Sequence, residues 1–146
     1  MTWNLFHQIA IGSGLVLISV LLSGAIFFAL EILMARSHLW LIRRPHLPKL
    51  ILVLIISVLA ALGMITVSVW VWAIAYYKLA VFVTFEASLY FSLVSFTTLG
   101  FGDIILPPEW RILSGMTAAN GFLNIGMMSA VVLETLRVVR KNQLGS

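Results

Sequence analysis

Three apolar runs, each long enough to cross a lipid bilayer, leave this chain few folds to choose from. They cover about residues 9–35, 50–77 and 110–139. Roughly 20 apolar residues span a hydrocarbon core of about 30 Å. All three runs exceed that, with length to spare for tilt or for helix beyond the bilayer. Lipid offers no partner to a backbone amide, so each run is expected to be a helix that satisfies its own. Composition agrees. Of 146 residues, 62% are hydrophobic and 10% charged, against about 25% charged in a soluble domain. No separate soluble domain is expected in the length that remains.

With no cysteine in the chain, disulfides and thiolate metal sites are excluded. The net charge of +4 does not point to nucleic acid, because the basic residues sit in clusters between the apolar runs. Arg36, Arg43, Arg44 and Lys49 follow the first run, and Arg137, Arg140 and Lys141 end the third. The opposite side holds only Lys78 and Arg111. Positive charge collects in the cytoplasm, which predicts an outer N-terminus and an inner C-terminus. Trp70, Trp72, Tyr76, Tyr77 and Trp110 then fit an outer aromatic belt, and Trp40 an inner one. Residues 1–8 lack a basic leader and the run behind them is too long for a signal peptide, so no cleaved leader is expected. Residues 142–146 read as a tail, with Leu144-Gly145-Ser146 resembling an expression scar.

Between the second and third runs lies a different kind of segment, residues 81–108. It opens with a shorter apolar stretch, residues 85–97, too short to span. Thr84 suits the N-cap of a short helix there, with Glu86 in its first turn. A glycine-punctuated stretch and Pro107-Pro108 follow. This pattern predicts a hairpin that enters the membrane and leaves on the same side. Its centre is Ser95-Phe96-Thr97-Thr98-Leu99-Gly100-Phe101-Gly102-Asp103. Irregular backbone at membrane depth survives only where protein buries it or water lines it. Glycine permits conformations that other residues find strained. A strand with every carbonyl on one side needs that freedom, and copies of it around an axis would stack rings of oxygen able to replace the hydration shell of an ion. With one hairpin and no internal repeat, four such hairpins around a pore would require a homotetramer.

Thr98-Leu99-Gly100-Phe101-Gly102 resembles the Thr-Val-Gly-Tyr-Gly signature of the potassium-channel pore family, with Leu99 for valine and Phe101 for tyrosine. The resemblance covers roughly residues 50–139. It implies an all-α membrane protein: three transmembrane helices plus a re-entrant pore helix and selectivity-filter loop, assembled as a tetramer. It divides the chain into an additional N-terminal helix and basic loop (1–48), a pore module (49–141) and the tail (142–146). It implies passive potassium conduction, with K⁺ held by the backbones of Thr98, Leu99, Gly100 and Phe101 and by the Thr98 hydroxyl. Gly102 and Asp103 would form the outer mouth. No cofactor is implied beyond the permeant ion. The partners expected are three more copies and membrane lipid, with no nucleic acid and room for a separate regulatory protein. The plasma (or cell inner) membrane is the expected location.

Some family members carry a buried Glu four residues before the filter threonine, bonded to the outer Asp. Val94 cannot make that bond, so Asp103 needs another partner, Tyr90 or a neighbouring subunit. Gly115, Gly121 and Gly126 punctuate the third run, with Asn120 and Asn124 on one face of it. Gly121 is read as hinge or packing residue, and the asparagines as cavity lining or as glue between helices. Glu31 and Glu134, near the cytoplasmic ends of their helices, are read as partners of Arg36, Arg137 or lipid headgroups, with a ring of Glu134 charge at the inner mouth as the alternative. His38 and His46 suit a solvated loop better than a pH sensor. The first run lacks the spaced arginines of a voltage sensor and is expected to pack outside the second. An intramembrane enzyme would need a nucleophile and base or metal ligands at depth, and the runs hold no histidine or aspartate. A nonselective cation channel and an accessory or transporter subunit with a filter-like loop remain as alternatives.

Overall fold

The computed structural model describes residues 2–37 and 47–144. Four α-helices occupy most of that length: α1 (Thr2–Arg36), α2 (Leu47–Lys78), α3 (Phe85–Phe96) and α4 (Arg111–Leu144). A 3₁₀ turn, Pro108–Trp110, leads into α4. The 32 residues of α2 reach about 48 Å at about 1.5 Å per residue, well beyond a bilayer core. Three of the helices are long and apolar enough to cross a membrane, and α3 is not. Trp40, Arg43, Arg44, His38 and His46 lie outside the described residues.

The turn from α2 to α3 is a Schellman closure. Val81 N–H bonds the Tyr76 carbonyl and Ala80 N–H bonds that of Tyr77, both at 3.1 Å. Such a closure puts one residue in the left-handed region, a place usually taken by glycine. Here it is Ala80, at φ 53°. Thr84 then caps α3 as expected, its hydroxyl accepting from Ala87 N–H at 3.2 Å.

Aromatic packing fixes α3 against the end of α2 nearest it. Trp72, Tyr76, Phe91, Phe96, Leu106 and Leu113 form one buried cluster, with Phe82 packed on it. Phe91 meets the Tyr76 ring edge-on, with centroids 5.3 Å apart. This corrects the belt reading of two residues. Trp72 and Tyr76 are fully buried inside the subunit, whereas Trp70 and Tyr77 are about half exposed. The Tyr76 hydroxyl lies 2.7 Å from Thr117 Oγ1 on α4. Thr117 gives its own proton to the Leu113 carbonyl, so Tyr76 is the donor.

Helix α1 packs on both α2 and α4 rather than on α2 alone. Small residues let it come close. Gly12 faces Met116 and Leu113 of α4, and the Ser23 and Ser68 hydroxyls meet at 3.3 Å between α1 and α2. Buried Gln8 accepts the Leu113 N–H at 3.4 Å. That amide belongs to the first turn of α4, where no carbonyl of the helix itself can satisfy it.

Candidate functional site

The last turn of α3 leaves carbonyls without helical partners. The chain after it turns back and supplies them. Leu93 O accepts Thr97 N–H and the Thr97 hydroxyl, at 3.0 and 2.8 Å. Ser95 O accepts Thr98 N–H at 3.0 Å. Val94 O accepts two amides, Leu99 N–H at 3.0 Å and Gly100 N–H at 3.3 Å. The amides of residues 97–100 therefore all point back into the subunit.

Backbone handedness explains that convergence. Thr98, Gly100 and Gly102 have φ of 59°, 54° and 76°. Leu99 and Phe101 between them are not left-handed. Alternating handedness turns successive amides to one side of the chain and carbonyls to the other. Among the described residues, the carbonyls of residues 98–103 accept no backbone hydrogen bond. A row of bare carbonyl dipoles is a cation ligand. Gly100 and Gly102 adopt this conformation freely, whereas Thr98 carries a side chain through it. Such a residue costs about 1–3 kcal/mol and persists only where its surroundings over-determine it. The double clasp on Val94 O provides that determination.

Both ends of the segment are anchored. At one end the α3 carbonyls hold it. At the other, Leu106 is buried in the aromatic cluster, and Arg111 Nε donates to its carbonyl at 3.3 Å. Midway, the Tyr90 hydroxyl donates to Asp103 Oδ2 at 2.6 Å. The carboxylate that Val94 leaves unserved thus finds its partner within the subunit. That bond, with the Asp103 charge, raises the Tyr90 pKa above the ordinary tyrosine value.

The side chains are placed differently. Thr98, Leu99, Gly100, Phe101, Gly102 and Asp103 are all exposed, Leu99 by 58% and Phe101 by 65%. Asn120 and Asn124 are not. They are 0% and 1% exposed, and Asn124 Nδ2 donates to both the backbone and side-chain oxygens of Asn120, at 3.0 and 2.7 Å. Both asparagines are thus buried inside the subunit, and their mutual bonds lie within α4. Gly121 is buried directly against α3, and a Cβ there would collide with the Phe96 backbone carbonyl. That contact shows α4 packed closely on α3 at Gly121. Glu134 pairs with Arg137 at 3.4 Å, with both side chains largely exposed. Sequence reasoning missed the left-handed Thr98, the Gln8 contact and the two serines that join α1 to α2. The Gln8 contact and the serine pair each depend on a partner tens of residues away, and the left-handed Thr98 depends on how the chain folds back on the last turn of α3.

A family model described as "Ion channel" matches residues 64–138. The matched stretch takes in the C-terminal part of α2, all of α3, the anchored segment and most of α4, and this chain belongs to that ion-channel family. It is an integral membrane protein, and among the described residues three helices are long and apolar enough to cross a membrane. No curated protein and no solved structure gives a significant match.

Proposed function

We propose that the chain is the subunit of a potassium-selective channel, conducting K⁺ passively through the centre of a homotetramer. One observation carries this reading: alternating handedness at Thr98, Gly100 and Gly102 turns the amides inward and leaves a row of unbonded carbonyls. One subunit offers one column of oxygens. A dehydrated cation needs ligands on all sides, and four columns around an axis supply them. The same assembly would cover Leu99 and Phe101, whose exposure is otherwise costly. In this reading Thr98, Leu99, Gly100 and Phe101 coordinate the ion, Gly102 and Asp103 shape the outer mouth, and residues 49–141 are the pore module.

Helix α3 adds an electrostatic contribution. Its C-terminal end carries the negative pole of its dipole. Aimed at the axis, that pole favours a cation beneath the carbonyl rings. The basic residues Arg137, Arg140 and Lys141 put the far end of α4 in the cytoplasm, so the carbonyl rings lie at the outer mouth.

Reconstitution in liposomes tests the proposal. Under opposed potassium and sodium gradients the reversal potential is expected to follow potassium. A reversal potential indifferent to the potassium gradient would overturn selectivity and favour a nonselective cation pore. Gly100→Ala, which forces a side chain into left-handed backbone, is expected to abolish flux without dissolving the tetramer.

A further inference from the structure

The spans hold two acidic residues, Glu31 and Glu134, separated by most of the chain. The fold brings them to the wall of one groove between α1 and α4. The groove encloses about 400 Å³, and Leu30, Met34 and Val138 supply much of its remaining wall. Among the described residues no basic side chain lines it, although the last turns of α1 and α4 carry Arg36 and Lys141. Deeper in the bundle a second cavity of about 320 Å³ begins at Val20 and shares Phe27 and Val131 with the first. Together they form a track along α1 from Val20 to Met34, about 21 Å at helical rise. One leaflet of hydrocarbon is about 15 Å deep. The track is almost wholly apolar toward Val20 and acidic at its Glu31 and Glu134 end.

We propose that this groove binds one acyl chain of a phospholipid whose headgroup ends in a primary ammonium, as in phosphatidylethanolamine. The ammonium donates charge-assisted hydrogen bonds to the Glu31 and Glu134 carboxylates. A quaternary ammonium has no proton to donate, and an anionic headgroup is repelled by the pair. The exposed bridge from Arg137 to Glu134 Oε2 at 3.4 Å is too weak to hold that carboxylate against a competing donor. The site does not depend on which ion the pore conducts.

The test uses the purified full chain in detergent and chain-matched phosphatidylethanolamine, phosphatidylcholine and phosphatidylglycerol. Retained lipid is counted by native mass spectrometry. Phosphatidylethanolamine is expected to be retained roughly tenfold better than the other two. The double variant Glu31→Gln, Glu134→Gln is expected to lose that preference while keeping its assembly state. Equal retention of all three lipids, or preference for phosphatidylglycerol, would overturn the proposal in the wild-type protein alone. So would a disulfide between subunits through Met34→Cys, since the chain has no cysteine of its own and that bond would put a second copy on the groove.

Discussion

The two ends of this helical bundle are built differently. Around α3, seven buried side chains from α2, α3, α4 and the segment between α3 and α4 form a continuous aromatic and aliphatic core. At the other end, among the described residues, the buried cluster is Val53 with Val139, supported by Met34, Leu50 and Leu136, and two cavities open between α1 and α4. The first end holds the left-handed Thr98 and a row of unpaired carbonyls. Strained backbone needs neighbours that leave it no alternative, and a dense core supplies them. The second end carries no such demand and has space in which helices can shift. In the proposed channel, selectivity belongs to the packed end and movement to the open one.

The largest expected effect tests whether the core is as unequal as it looks. Phe91→Ala should cost about 3–5 kcal/mol by opening a cavity among Tyr76, Phe82 and Phe96. Val139→Ala removes two carbons at the sparse end, worth about 1.5 kcal/mol at about 0.8 per methylene. Thermal unfolding in detergent compares them, and equal losses would dissolve the distinction. Glycines make the next comparison. Gly121→Ala must push the Phe96 carbonyl away and should destabilise by about 3 kcal/mol. Gly126 has open space around it, so Gly126→Ala should leave stability unchanged or raise it by up to about 1 kcal/mol.

A smaller effect is expected where Tyr90 holds Asp103. The bond needs the Tyr90 proton, and the folded pKa is raised. Its contribution is therefore complete below the ordinary tyrosine value of about 10 and is lost as pH rises through the raised value. Wild-type flux should fall across that alkaline window, and Tyr90→Phe should show reduced flux already at neutral pH with no further alkaline step. An unchanged alkaline step in Tyr90→Phe would assign it to another group. The smallest change expected is at the α2 closure. Ala80→Gly removes a left-handed alanine and should raise stability by about 1 kcal/mol, measured by the same unfolding transition.

Much of the ion-channel architecture was legible in the residues, for reasons that are local. Apolar length sets where a chain can cross a bilayer, and the bounds of α1, α2 and α4 differ from the apolar runs mainly at their ends, where polar residues extend a helix beyond the lipid. Thr84 as the cap of α3 was readable because a cap acts within one turn. Tyr90 as partner of Asp103 was one of two options raised by Val94, and the structure takes it. The belt reading of Trp72 and Tyr76 failed because aromatics at the end of a span serve lipid and core equally well. Only their position around α2 decides between the two.

By itself, then, the sequence determined that this chain lives in a membrane and where its helices run, which follows from composition and apolar length. Its resemblance to the potassium-channel filter signature singled out residues 98–102. Tertiary structure alone decided that Val94 O gathers the amides of Leu99 and Gly100 and that Gly121 sits under the Phe96 carbonyl. It also buried Asn120 and Asn124 and set Glu31 beside the groove of Glu134. Each of those is a contact between groups whose local sequence favours no particular partner. Which partner they meet is set by how three long helices lean on one short one.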